Sequence, residues 1–407
     1  MNKKIFAFLA VLVLASMMLA ACGGAATEAP AAEEPAAEAP AVEEEAPAEE
    51  AAAEEPAMEA MVYTIGAVHD LSGPTAVYGE SIKKGIDLAV KEINEQGFLA
   101  DATLEVIYED AAGDATQAIA AFEKLIANED VTLILGPTLS SEAKSADPIA
   151  QESGMPVVAS SNTATGITDI GNFIFRTSLP ESLVIPNTIN VTKEALGLTK
   201  VAVMYGNDDA FTQSGYEVFA SALADAGIEV LTEETFAKGD TDFSAQLTKI
   251  QSMEPDAIVI SALAEEAANI MVQARTLGIE VPFIGGNGFN SPKLAEIAGG
   301  AAEGAISGAA WNIASTVPAS ADFVAAFNAE YGADPDQFAA QAYTAAWAAA
   351  NAINVAGADR AAVRDALDAL DGMDSPLGTF GFDDNRDPAH PPVVLVVQDG
   401  VFAVFQP

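Results

Sequence analysis

Cysteine occurs once in the 407 residues, and histidine and tryptophan twice each. One cysteine excludes an internal disulfide and any cysteine-based metal site. The histidines, His69 and His390, lie too far apart in sequence to suggest a metal set, and none is expected. Basic residues are scarce as well: 17 Lys and Arg against 60 Asp and Glu give a formal net charge of −43. Nucleic acid and anionic membrane surfaces, which bind through Lys and Arg, are therefore excluded as partners. The acid excess fits plain solubility and a saline habitat equally. No GxSxG elbow occurs, and the glycine-rich GGNG at 285–288 lacks the spacing of a Walker loop or a dinucleotide fingerprint. Adjacent carboxylates such as Asp208 and Asp209 read as a solvated loop before they read as an acid/base pair. Neither an enzyme nor a cofactor is expected.

What is present begins with a secretory pattern: Lys3 and Lys4, an apolar run from Ile5 to Leu19, then small residues up to Ala21. The run is too short for a comfortable membrane span. Leu19, Ala20, Ala21 and Cys22 resemble the lipobox of bacterial lipoproteins, which implies cleavage after residue 21 and lipidation of Cys22. Several acyl chains would anchor the protein stably. From Cys22 to residue 61 the chain is almost entirely Ala, Glu and Pro, with nothing to bury. Repeated Glu keeps such a stretch solvated, and prolines such as Pro30, Pro40 and Pro56 break the helices that Ala and Glu favour, so it reads as a tether.

From Val62 onward strands alternate with helices. VYTIGAV (62–68), TLEVIYED (103–110), VTLILG (131–136) and PVVA (156–159) are strand patterns. Helices are expected between them, the first from about Glu80 after the turn residues of HDLSGPTAVYG. The rhythm restarts after FIFRTS (173–178) with KVAVMYG, EVLTEETF, DAIVISAL and PFIGG. Three helical segments then follow AISGAAW, and two strands close the chain. Single helices between strands imply right-handed crossovers and parallel sheets, hence an α/β fold. Two such units suggest two lobes, and the late helices and strands imply that the chain passes back between them.

Residues 131–163 carry the strongest sign of a site. VTLILG is an apolar strand stopped by Gly136 and Pro137, after which Ser140 and Ser141 open a helix. Hydroxyls and free N–H groups at a helix start favour an anion such as a carboxylate. The next strand ends in Ser160, Ser161, Asn162 and Thr163, a second polar cluster at a carboxyl end, where open α/β sheets bind ligands.

SGPTAVYGESIKKGIDLAVKEIN, YEDAAGDATQAIAAFEKLI, ILGPTLSSEA and GMPVVASSNTAT are similar to the leucine/isoleucine/valine-binding proteins, the type I solute-binding proteins of ABC importers. The likeness runs in order from Val62 to the carboxyl end. It implies two Rossmann-like lobes with parallel sheets, joined by a three-segment hinge around a closing cleft. The lobes would comprise 62–178 with 312–377 and 179–311 with 378–407, after a signal peptide at 1–21 and a tether at 22–61. The partners implied are a small solute, first of all a branched-chain amino acid, and an ABC permease, with a monomer held to the membrane only by its lipid.

By the same resemblance Ser140 and Thr163 hold the ligand carboxylate, with Ser141 and the backbone at Ser161 beside them. Tyr78 lines the side-chain pocket, Phe211 lies over the ligand from the second lobe, and His69, read as a solvated loop residue, ends a strand facing the cleft. One departure stands out: where the family grips an α-ammonium with an acidic residue, this chain has Asn287. An amide cannot neutralise an ammonium. Either Asp208 or Asp209 supplies the carboxylate, or the ligand is an amide, a urea-like solute or an aromatic carboxylate. A second departure is at Leu263 and Ala264, where the family can carry an aromatic ring; Trp311 either fills that gap or is a buried hinge residue. A ligand sensor for a regulatory partner is the reading from another class.

Overall fold

The computed structural model describes residues 61–407. The expected signal peptide, the lipid attachment at Cys22 and the tether before residue 61 lie outside the described residues.

The first sheet is built from β1 (Met61–His69), β2 (Ala102–Asp110), β3 (Val131–Leu135), β4 (Val157–Ala159) and β5 (Ile174–Arg176), all parallel, in the order β2-β1-β3-β4-β5. Every residue of β3 is buried, as a strand covered on both faces by helices requires. The intervening helices are α1 (Ala76–Glu95), α2 (Ala115–Ile126) and α3 (Ser140–Ser153). On α1 the residues Ile82, Ile86, Ala89 and Ile93 recur every three or four positions and form its buried face. This helix starts four residues earlier than the glycine pattern predicts. A Cβ at Gly79 would lie 1.9 Å from the Asp70 carbonyl oxygen, so this glycine serves a close backbone approach inside the first helical turn. Tyr78 is thereby held on the helix.

The second sheet contains β6 (Lys200–Gly206), β7 (Glu229–Phe236), β8 (Ala257–Ser261), β9 (Phe283–Gly285), β10 (Ile306–Ala309), β13 (Val393–Gln398) and β14 (Val401–Val404). Their order is β14-β13-β10-β9-β8-β6-β7, with β13 antiparallel to β10 and β14 antiparallel to β13. Its helices are α4 (Glu181–Leu196), α5 (Ala210–Asp225), α6 (Ser244–Gln251), α7 (Ala264–Thr276) and α8 (Pro292–Ala298). Three more helices, α9 (Pro318–Tyr331), α10 (Gln337–Ala356) and α11 (Arg360–Asp368), follow β10 but pack on the first lobe. Buried on nearly all sides, α10 lies between α1 and the strands β3 and β4. Its alanines allow that closeness: a Cβ at Gly85 of α1 would sit 2.3 Å from the Ala339 carbonyl oxygen.

The chain therefore crosses between the sheets three times: from β5 into α4, from β10 into α9, and before β13. The last crossing comes after Pro388 and not at 377–378. A small hairpin of β11 (Met373–Ser375) and β12 (Gly378–Phe380) and the loop after it stay with the first lobe. Arg176 Nε donates to Asp387 Oδ1 at 2.5 Å, Arg386 donates to the carbonyls of Ile174 and Thr168, and Phe382 meets Phe175 edge-on at 5.1 Å. The architecture is α/β, with two Rossmann-like lobes joined by three segments. Among the described residues, no helix is long and apolar enough to cross a membrane.

Candidate ligand-binding cleft

Where the carboxyl ends of the two sheets face each other, one cavity draws its walls from both lobes. Tyr78, Thr138, Leu139, Ser140, Ser161 and Phe338 come from the first; Phe211, Leu263, Asn287 and Gly288 come from the second. It thus brings together Tyr78, Ser140, Ser161, Phe211 and Asn287, which are far apart in the chain. Ser141, Thr163 and Asp209 do not line it.

The two polar loops of the first lobe are tied to each other. Ser140, at the first turn of α3, is buried, and its Oγ accepts from the backbone N–H groups of Thr163 and Ala164, each at 3.2 Å. Ser161 Oγ donates to the Thr138 carbonyl at 2.6 Å. Thr163 is buried behind this wall, with its N–H on Ser140, its carbonyl receiving the Glu181 N–H at 3.0 Å, and its own hydroxyl without a partner. Ser141 is half-buried one position along α3, where its carbonyl accepts from the Ser145 hydroxyl. Glu142 closes the turn by accepting from Leu139 N–H at 2.9 Å. Burial, with the Asp70 carboxylate beside it, pushes the Glu142 carboxyl up to about 9.

Tyr78 does more than line a wall. Its Oη donates to the Gly288 carbonyl at 2.9 Å and accepts from the Ala264 N–H at 2.8 Å, so a first-lobe side chain is satisfied entirely by second-lobe backbone. Burial raises its phenol far above the ordinary range, and it stays neutral. Phe338 packs edge-on against it at 5.0 Å. Asn287 bridges the lobes as well: its Nδ2 donates to the Ser161 carbonyl at 3.1 Å while its Oδ1 accepts from Gln337 Nε2 at 2.6 Å. Further from the cavity, Thr165 N–H donates to Ser214 Oγ at 2.9 Å, and Lys238 Nζ to the Gly113 carbonyl at 3.0 Å. The lobes are closed on each other.

Asp208 and Asp209 are occupied elsewhere. Asp209 caps α5, its Oδ1 accepting from Phe211 and Thr212 N–H, and Asp208 accepts from Lys238 N–H. Phe211, whose N–H is held by this cap, lines the cavity. His69 is fully buried against Thr138 Oγ1 at 3.2 Å, not solvated, and burial lowers its ring to about 3. Trp311 is buried in the first lobe's flank, with Nε1 donating to Ser320 Oγ at 2.9 Å and its ring on Phe323, so the space beside Leu263 stays free of an aromatic ring from that source. Among the described residues no group of His, Cys, Asp or Glu is placed to hold a metal. Phe338 and Gln337 carried no local sign in the sequence, because α10 reaches the cleft only through the return of the chain to the first lobe.

Two lobes joined by three crossings, with a cavity between them lined by Ser140 and Asn287 as well as by Phe211, Leu263 and Phe338, define a two-lobed solute receptor. Comparison with known proteins gives the same class. Residues 62–401 match the family model described as "Periplasmic binding protein". A leucine-, isoleucine-, valine-, threonine- and alanine-binding protein of Pseudomonas aeruginosa is 30% identical over 340 residues, covering 81% of this chain and 88% of that one. The leucine binding protein of Thermotoga maritima superposes with a TM-score of 0.80 at 27% identity, covering 84% of this chain and 97% of that one. A branched-chain amino acid transporter substrate binding protein of Streptococcus pneumoniae, in complex with isoleucine, does so with a TM-score of 0.80 at 28% identity, covering 85% and 100%. The chain belongs to the periplasmic binding protein family.

Proposed function

We propose that this chain is the extracytoplasmic, lipid-anchored receptor of an ABC importer, and that it captures an amino acid, first of all a branched-chain one, by closing its lobes. The observation that carries the reading is the composition of the cavity. One side offers the Ser140 hydroxyl at a helix start, which accepts two backbone N–H groups and keeps its own proton to donate, and the other offers Phe211 and Leu263. Uncharged donors at a helix start suit a carboxylate, and the opposing apolar wall suits an aliphatic side chain. The branched-chain solutes of the relatives from Pseudomonas and Streptococcus support the same solute class. Binding works by population shift: the ligand touches both lobes, so it favours the closed form through contacts that the open form lacks. The closed rim is the surface for a permease to recognise. A second reading, a carboxylate or amide without an ammonium, is favoured by Asn287, whose amide is spent between the lobes.

Thermal unfolding of the purified protein against amino acids, amides and aromatic acids tests both, since a solute that binds only the folded form raises the melting temperature. Leucine, isoleucine or valine is expected to give the largest rise. Ser140→Ala is expected to weaken that solute about tenfold, a loss near 1.4 kcal/mol. Equal affinity in Ser140→Ala and Thr163→Val would remove the proposed acid-binding loops.

A further inference from the structure

A cavity larger than the cleft lies at the second crossing between the lobes. Its volume is about 210 Å³, against about 20 Å³ for the cleft. Trp311, Asn312 and Ile313 of that crossing form one wall, Asn290 and the hairpin of β13 and β14 close it from the second lobe, and residues 334–337 at the start of α10 close it from the first. Most of the wall is apolar, through Trp311, Ile313, Leu395, Val401 and Phe402. Val401 and Ile313 stay 64% and 36% exposed despite their size, so an apolar occupant would cover surface that folding left in water. Protein interiors leave few voids beyond a single water, and a cavity of about 150 Å³ already takes a benzene ring.

The neutral polar groups of this wall are already spent. Asn290 Nδ2 donates to the Gly308 carbonyl at 2.8 Å and its Oδ1 accepts from Ser307 Oγ at 2.7 Å. Asn312 Nδ2 donates to the Phe402 carbonyl at 3.1 Å while its Oδ1 accepts the Ala314 N–H at 2.9 Å. What remains is acid. Asp334 gives Oδ1 to Asn328 Nδ2 at 3.1 Å, and Asp336 gives Oδ1 to the Ser81 hydroxyl and the Ala339 N–H, which leaves each a second carboxyl oxygen. Among the described residues no Lys, Arg or His lines the cavity. Burial raises the Asp336 carboxyl above its ordinary value, against the bonds it accepts and the pull of Lys84, and a cation alongside favours its charged form. Charge and shape together suit a cation with an apolar body and disfavour an acid.

One side chain joins this cavity to the cleft. Gln337 lines it, accepts the Ala310 N–H of the crossing at 3.0 Å through Oε1, and donates through Nε2 to Asn287, a wall of the cleft. Because its walls come from both lobes, the cavity has this shape only while they are closed, and a molecule that touches both walls favours that arrangement. We propose that the cavity is a second binding site, for a small organic ammonium with an aryl or branched alkyl body, and that filling it tightens the hold of the cleft on its solute. Neither part depends on which solute the cleft takes.

The test uses benzylammonium as probe, titrated in about 0.15 M salt into the intact protein carrying Trp347→Phe, which leaves Trp311 as its single tryptophan. A saturable change in Trp311 fluorescence is expected, with an affinity at least about tenfold above that of benzyl alcohol. Asp334→Asn, at an exposed position, is expected to abolish that preference. Val401→Arg, which brings a rival cation to the exposed part of the wall, is expected to weaken benzylammonium by about tenfold as well, so a misfolded Asp334→Asn does not decide the matter. Saturating benzylammonium is expected to lower the Kd of the solute with the largest thermal rise by about threefold or more, and that solute to tighten benzylammonium by the same factor. A Trp311 that does not respond, an equal response to benzyl alcohol, or mutual weakening of probe and solute overturns the site. Binding at Trp311 that leaves the solute's affinity unchanged overturns the link to closure. Ser140→Ala separates this site from the cleft: loss of the solute with benzylammonium kept supports the second site, and loss of both overturns it.

Discussion

Tyr78 shows how much a single side chain contributes to closure. Its hydroxyl is buried, yet both of its bonds, to the Gly288 carbonyl and from the Ala264 N–H, cross to the other lobe. Those bonds exist only when the lobes meet. Replacing Tyr78 by Phe keeps the ring against Phe338 but leaves a buried donor and acceptor of the second lobe unpaired in the closed form, at a cost of about 1–3 kcal/mol. In the open form water satisfies both groups. Tyr78→Phe is therefore expected to weaken the ligand by about tenfold or more and to enlarge the radius of gyration of the unliganded protein in X-ray scattering. An unchanged radius together with unchanged affinity would show that Tyr78 is a wall and not a latch.

The contact between α1 and α10 is the most extensive between helices of the first lobe and is set by small residues. Gly85 lets the α1 backbone approach Ala339, where a Cβ would meet a carbonyl oxygen at 2.3 Å. Backbone atoms on both sides leave little room to relax. Gly85→Ala is expected to destabilise the fold by about 1–3 kcal/mol despite the better helix propensity of alanine, seen as a lower melting temperature. Gly300→Ala, whose Cβ meets nothing within 4 Å, is the control and is expected to stay within about 0.5 kcal/mol. A Gly85→Ala protein as stable as the wild type would mean that the two helices are looser than their spacing implies. Because α10 also carries Gln337 and Phe338 to the cleft, slack in this pair would reach the site.

For the molecule as a whole, buried carboxyls make stability fall with rising pH. Glu181 is pushed up to about 8 and Glu142 to about 9, in both cases mainly by burial, and burial also raises Asp147 well above the carboxylate range. A folded-state pKa above the unfolded one means that the native state holds more protons. The contribution is complete below the unfolded value near 4.5 and is lost as pH climbs through about 8 to 9. Each such group changes stability by up to about 1.4 kcal/mol per pH unit within that window. The melting temperature of the unliganded protein is expected to drop between pH 5 and pH 9, and less steeply in Glu181→Gln. A flat or rising profile would contradict buried neutral acids. The net charge of −43 does not imitate the effect, since exposed carboxylates are already ionised at pH 5.

The α/β alternation, the two repeated units and half of the cleft were legible in the chain because they rest on local signals. Apolar runs ended by turn residues mark strand ends, and Ser140, Ser161, Phe211 and Asn287 all follow such ends, where parallel sheets expose their loops. Local signals failed where a residue's meaning depends on something distant. Gly79 looked like a turn because its close neighbour, Asp70, is visible only in space. His69 looked solvated because Gly136 and Thr138, in the loop between β3 and α3, close over it only after folding, and the third crossing was misplaced because Arg176 and Arg386 hold residues 382–388 against β5. Gln337 and Phe338 reach the cleft, and Glu181 the small cavity beside it, through chain crossings that leave no trace in their own neighbourhoods. Sequence by itself determined which segments are strands and helices and which strand ends are polar, since periodicity and turn chemistry act within a few residues. Only the tertiary structure decided which of those polar groups face one another, which are spent on caps, and which carboxyls, Asp147 and Glu181 among them, are left without a partner, because burial and pairing arise between elements that the chain order keeps apart.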